Sequence, residues 1–134
     1  MTTQAITHGN YEASKAKNIT LWVVQILLAG MFIMAGGSKL GGAEQMVQLY
    51  NAIGIGQWFR YVTGFIEVGS ALLLFSPKLA GVGAALLAST MVGAIITHLF
   101  VIGGNPAMPI ALLAGTGFVA WGRKDRVLSV LGLK

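Results

Sequence analysis

The chain has no cysteine, and that absence removes several chemistries at once. It leaves no disulfide framework, thiolate nucleophile, Cys-bound iron–sulfur cluster or Cys-containing zinc site. Any redox chemistry then depends on a bound cofactor, a diffusible one such as a quinone, or a partner subunit. No cofactor motif can be read. Charge is scarce as well: 10% of the 134 residues are charged, against roughly 25% in an average soluble chain. A further 55% are hydrophobic and mean hydropathy is +0.75, whereas a water-soluble fold of this size needs a more polar surface. No basic stripe is interleaved with aromatics, so the net charge of +5 does not indicate nucleic acid. The glycine pairs Gly36-Gly37, Gly41-Gly42 and Gly103-Gly104 lack phosphate-loop spacing and read as turns and helix ends. Met31, Met34 and Met91 have no cysteine or second intramembrane histidine beside them, so they read as packing filler and no metal site is expected.

What is present is a series of long apolar runs. Residues 1–18 form a polar tail containing Glu12, Lys15 and Lys17. Ile19 to Gly37 is uncharged and, at about 1.5 Å per residue, can cross a hydrocarbon core about 30 Å thick. A secretory signal has an apolar core of only about 7–15 residues, so this run reads as a retained helix. Between Ala43 and Ile53, Met46, Leu49, Tyr50 and Ile53 recur at helical spacing opposite Glu44, Gln45, Gln48 and Asn51. That segment is too short to span and predicts an amphipathic interfacial or re-entrant helix, stopped at Gly54. Trp58 and Tyr61 mark a membrane boundary. Phe59 to Ser76, Leu79 to Ile102 and Ala107 to about Trp121 complete the set of spans.

The expected fold is therefore all-α: an integral membrane four-helix bundle over residues 19–126, with a short tail at 127–134. Gly81, Ala85, Ser89, Gly93 and Thr97 repeat every fourth residue, as do Ala107, Ala111 and Gly115. Such stripes let helices approach closely and predict the packing faces of the third and fourth spans. Four spans put both termini on one side. That side carries Lys15, Lys17, Lys78, Arg123, Lys124, Arg126 and Lys134, seven cations, against Lys39 and Arg60 on the other. The positive-inside rule then places both termini in the cytoplasm.

Glu67 stands out. It falls at the middle of the second span, where an acidic residue costs about 2.5–3.5 kcal/mol on insertion scales. Nine apolar residues in that span return only about 3–5 kcal/mol. Glu67 must face the interior and either have a partner or be protonated. Arg60 lies two turns earlier on the same face, Lys39 ends the first span on that side, and His98 lies near the outer end of the third. Thr63 and Thr97 add hydroxyls. These positions predict an outward-opening polar pocket with cationic walls, in which Glu67 and His98 exchange protons while Lys39, Arg60, Thr63 and Thr97 bind a ligand. For every one of them an ordinary structural role competes: interhelical hydrogen bonding for Glu67, snorkelling for Lys39 and Arg60, end-capping for His98. His8, in the polar tail, is incidental.

The residues themselves resemble a known family. The first span's ending Gly36-Gly37-Ser38-Lys39-Leu40, the W-F-R-Y-x-x-G-x-x-E-x-x-x-A-L-L-L run from Trp58 to Leu74, and the M-x-x-A-x-x-x-H run from Met91 to His98 are similar to DoxX-like membrane proteins. The resemblance implies a four-helix protein of the bacterial inner membrane. Some relatives are subunits of a thiosulfate:quinone oxidoreductase, others belong to membrane oxidoreductase assemblies, and distant animal kin are receptor chaperones or lipid-ligand binders. Lys39, Glu67 and His98 fall at positions that are often polar in the family.

Two functions of different class follow. One is a redox-linked subunit in which a diffusible quinone enters the pocket, with electrons supplied by a membrane or soluble oxidoreductase partner. The other is a non-catalytic scaffold, assembly factor or lipid-ligand binder that docks other helices or a second copy of itself. Whether the chain is an enzyme is left open by the sequence.

Overall fold

Apolar runs must satisfy every backbone N–H and C=O internally, which favours helices. The computed structural model describes residues 2–132, with side chains from Ser14 onward. It contains α1 (Thr2–Leu40), α2 (Glu44–Ile53), α3 (Trp58–Leu73), α4 (Ala80–Thr97), a π-helical turn (His98–Ile102), α5 (Ala107–Gly122) and α6 (Lys124–Val130). Among the described residues there is no strand. Two helical segments, Ser14–Leu40 and Ala80–Ile102, are long and apolar enough to cross a membrane. The terminal cation Lys134 and the side chains of His8 and Glu12 lie outside the described residues.

Two boundaries differ from the sequence reading. The polar segment before Asn18 is helical and continuous with the apolar run, since it contains no proline to interrupt it. Gly36-Gly37 is not a helix end either: α1 continues to Leu40, and the turn falls at Gly41-Gly42, where Gly42 has φ +73°. The amphipathic segment does form a helix. It stops at Gly54, whose φ of +88° suits glycine and whose N–H donates to the Tyr50 carbonyl at 3.2 Å.

α1 packs on α3 and α5, and α4 packs on the same two, while α2 rests against α1, α3 and the π-helical turn. The core between them holds Leu28, Phe32, Leu74, Leu87 and Val119 with the small residues Ala29, Ala71 and Ala84. Close approach is set by glycines. A Cβ at Gly36 would stand 2.7 Å from Val68 Cγ2 and 2.9 Å from the Gly64 carbonyl oxygen, so α1 and α3 nearly touch there.

The small-residue stripe on α4 is not the packing face beyond its first member. Gly81 is buried against α6, but Ser89 and Gly93 are exposed, and a Cβ at Gly93 meets nothing within 4 Å. The face that packs is the adjacent one, Ala80, Gly83, Ala84, Leu87 and Met91. Leucine and methionine fill the core there, so small size alone does not mark the contact. On α5, likewise, Ala107 and Ala111 are exposed, and only Gly115 of that stripe reaches a neighbour, Leu28. Large apolar side chains such as Met34, Phe65 and Phe100 remain on the outside.

Candidate functional site

The Gly36–Gly64 crossing positions the central charges. Glu67 follows Gly64 by one turn, and its Cβ lies 3.1 Å from where a Gly36 Cβ would stand. Lys39 is one turn beyond Gly36, and helical side chains lean toward the N-terminus. It therefore reaches back along α1, and its Nζ donates to Glu67 Oε2 at 3.0 Å. The Glu67 side chain is 3% exposed and that of Lys39 14%, so the carboxylate is enclosed while the ammonium keeps an outlet.

Arg60 does not join them at a pocket. It is buried, its NH1 donates to the Lys39 carbonyl at the end of α1, and its Nε donates to Gln57 Oε1 at 2.8 Å. The last carbonyls of a helix have no intrahelical donor, and a guanidinium fork can supply one. Its remaining face stacks on Tyr61, Cζ 4.3 Å from the ring centroid. Arg60 thus fastens the α1 terminus onto α3, and the expectation that it lines the pocket is corrected. Spacing put it on the right face of α3 but could not show that an open helix end would claim it.

The other sequence candidates do meet around one partly open cavity of about 580 Å³, lined by residues of α1 to α5 and the π-helical turn. Lys39, Thr63, Glu67, Thr97 and His98 all line it, among mainly apolar residues that include Phe32, Ile66, Met91 and Met108. Thr97 donates to the Gly93 carbonyl at 2.8 Å. His98 Nδ1 lies 2.8 Å from the Ala94 carbonyl; a carbonyl only accepts, so Nδ1 donates in that bond. Tyr50, which sequence reasoning had placed only on the apolar face of α2, also lines the cavity. Its hydroxyl is 2.6 Å from Thr63 Oγ1, and Thr63 in turn bonds back to the Phe59 and Arg60 carbonyls. Burial holds the Tyr50 phenol above its ordinary pKa, against the lowering effect of its Thr63 hydrogen bond. It therefore stays protonated and donates to Thr63. A lone aromatic at helical spacing gave no sign of that role.

Chemically, the cavity offers an ammonium–carboxylate pair on one wall, an imidazole at the turn and apolar surface between them. Among the described residues no group of three His, Cys, Asp or Glu could hold a metal ion.

A model of the DoxX-like family matches residues 23–121, a stretch that includes Lys39, Glu67 and His98. The Bacillus subtilis (strain 168) protein named "Putative oxidoreductase CatD" is 30% identical over 84 residues, covering 63% of this chain and 63% of that protein. The alignment thus spans less than two thirds of that relative's length. No solved structure matches the chain.

Proposed function

The chain belongs to the DoxX-like family, and on that premise we propose that it is a four-helix membrane protein whose cavity admits a quinone headgroup for redox chemistry shared with a partner oxidoreductase. In this reading α1, α3, α4 with its π-helical turn, and α5 cross a bacterial inner membrane. Both termini are cytoplasmic, and α2 lies in the outer interface. Two apolar helices of spanning length and the uncovered side chains of Met34, Phe65 and Phe100 support a lipid environment, because a broad apolar surface is costly in water. Seven cations against two support the orientation.

The observation that carries the proposal is the make-up of the cavity. Ligand sites are concave, about 300–1,000 Å³, and mainly apolar with a few fixed polar groups. This one is about 580 Å³, with Lys39, Glu67 and His98 set into apolar walls. A quinone has the matching pattern, a flat apolar ring and tail bearing two carbonyl oxygens. Its reduction consumes two electrons and two protons. Lys39 Nζ can donate to a carbonyl or developing oxyanion, while Glu67 and His98 Nε2 can hold and pass protons. The electrons come from the partner. The oxidoreductase name of the Bacillus subtilis relative supports the redox half of the reading.

A second reading, a non-catalytic lipid-ligand binder, scaffold or assembly factor acting with another protein or a second copy, is favoured by one observation. Lys39 and Glu67 neutralise each other, and Arg60 is committed to the end of α1.

The test is titration of a short-chain quinone into the purified protein in detergent, with Gly93→Leu and Glu67→Gln beside it. Gly93 lines the cavity and has open space at its Cβ, so leucine takes ligand volume without displacing a helix. The expectation is wild-type thermal stability and about tenfold weaker quinone binding, equivalent to ~1.4 kcal/mol. Glu67→Gln should still fold, at some cost in stability because Lys39 loses its carboxylate partner but keeps its outlet, and should lose the proton-coupled step. Absence of quinone binding by the wild type, or unchanged binding by Gly93→Leu, refutes the cavity as a quinone site. Quinone binding that never supports turnover with any partner favours the second reading.

A further inference from the structure

A second polar cluster lies at the far end of α1, away from the cavity. Lys17 and Lys39 are 22 residues apart on one helix, a rise of about 33 Å. There Lys17 Nζ and Lys124 Nζ lie 5.0 and 5.5 Å from the centroid of the Trp121 ring. Arg123 stands beside them. Its Nε donates to Gln25 Oε1 and its NH1 to Asn18 Oδ1, both at 2.8 Å, and its Cζ is 5.6 Å from the Trp22 ring.

Both of those acceptors are neutral amides, and NH2 of Arg123 is buried with no protein partner. Burial, and then the like charge of Arg126, hold Arg123 below its usual pKa. Around this end the sequence supplies Lys15, Lys17, Arg123, Lys124 and Arg126 against two acids, Glu12 and Asp125, the second of which is itself engaged in an interaction. Cations are therefore crowded together on aromatic rings and amides.

We propose that this rim is a binding site for the phosphate of an anionic lipid, seated between Lys17 and Lys124 with its acyl chain along Trp121 and Phe118. Trp121 and Phe118 are both exposed, and they lie one turn apart on α5. Tryptophan rings sit at the headgroup level of a bilayer, and clustered cations attract anionic headgroups. The phosphate complements the excess of cations at this rim, and the apolar strip beside it distinguishes a lipid from free phosphate. The site rests on the membrane-spanning reading above but not on the quinone.

The experiment is native mass spectrometry of the full chain extracted from vesicles of phosphatidylcholine with added phosphatidylglycerol, repeated with Lys17→Gln/Lys124→Gln and with inorganic phosphate as competitor. Both lysines are on the exposed surface, so the double variant keeps the fold. Wild-type protein should retain phosphatidylglycerol in preference to phosphatidylcholine. The double variant should bind it about thirtyfold more weakly, from a factor of about five per surface cation. Millimolar inorganic phosphate should fail to displace it. Equal retention of the two lipids, an unaffected double variant, or ready displacement by phosphate each overturns the proposal. Alkaline carbonate extraction separates the two readings: release of the chain into solution defeats the membrane reading and the site with it. Retention without headgroup preference defeats the site alone.

Discussion

Alanine at Gly83 and alanine at Gly93 should have opposite effects, although both lie within α4 and both belong to small-residue patterns. At position 83 the new Cβ would stand 2.6 Å from the Ser70 carbonyl oxygen and 2.8 Å from Leu73 Cβ. Ordinary contact begins near 3.4 Å, so α3 and α4 must separate locally by roughly 0.8 Å. Backbone cannot swing aside as a flexible side chain can. Overpacking of this kind costs typically about 1–3 kcal/mol. At position 93 the Cβ meets nothing within 4 Å, and no such cost arises. Both substitutions gain the same helix propensity, about 0.8–1 kcal/mol for glycine to alanine. That gain cancels in the comparison, so the difference between the variants isolates the packing term: Gly83→Ala should be less stable than Gly93→Ala by about 1–3 kcal/mol. Relative to wild type, Gly93→Ala should be neutral or slightly stabilised. Unfolding in mixed detergent micelles, followed by helical circular dichroism, reads both. Equal stabilities, or a larger loss at 93, would refute this assignment of the α4 packing face.

Arg60→Lys retains the charge but loses the fork that serves the Lys39 carbonyl and Gln57 together; it should cost about 1–3 kcal/mol of stability in the same unfolding assay. On the proposed quinone reading its effect on affinity should be less than about twofold, because Arg60 does not line the cavity; a large affinity loss at unchanged stability would return Arg60 to the candidate site. Gln25→Leu removes the amide that joins the Leu74 carbonyl to Arg123 Nε. Stranding those two groups should cost about 1–3 kcal/mol in mixed-micelle unfolding, and a neutral result would mean that solvent or lipid takes over the bonds.

Much of the helical layout was legible because it depends on local properties of the chain. The apolar runs, the i, i+3, i+4, i+7 pattern at Met46 to Ile53 and the left-handed glycine at position 54 each specify backbone conformation without knowledge of neighbours. Lys39, Thr63, Glu67, Thr97 and His98 could be grouped because a polar residue in an apolar helix has few places to go. Arg60 could not be assigned the same way: its partner is a backbone carbonyl, and every residue has one. The stripe from Gly81 to Thr97 misled for a related reason. Small residues permit close approach but do not compel it, and the faces of α4 were decided by whether Leu87 and Met91 could be buried opposite α3 and α5. Gln25 and Arg123, 98 residues apart, were joined only by the tertiary fold.

The α1–α3 contact then serves stability and site together. Lipid tails are as apolar as the helices they surround, so helix association in a bilayer depends on close van der Waals contact and interhelical polar bonds more than on burial. Gly36 and Gly64 provide the first. A side chain at either position would force the helices apart, because each faces the other's backbone carbonyl at about 3 Å. The same separation would lengthen the reach from Lys39 to Glu67 and leave a nearly enclosed carboxylate without its cation. Breaking such a pair by losing one partner is far more costly than never having built it. The Lys39–Glu67 pair on the cavity wall is therefore held by the close approach of α1 and α3 at Gly36 and Gly64, and substitutions at either glycine should impair stability and, on the proposed reading, ligand binding together. Gly93, on the open wall, lets the two be separated.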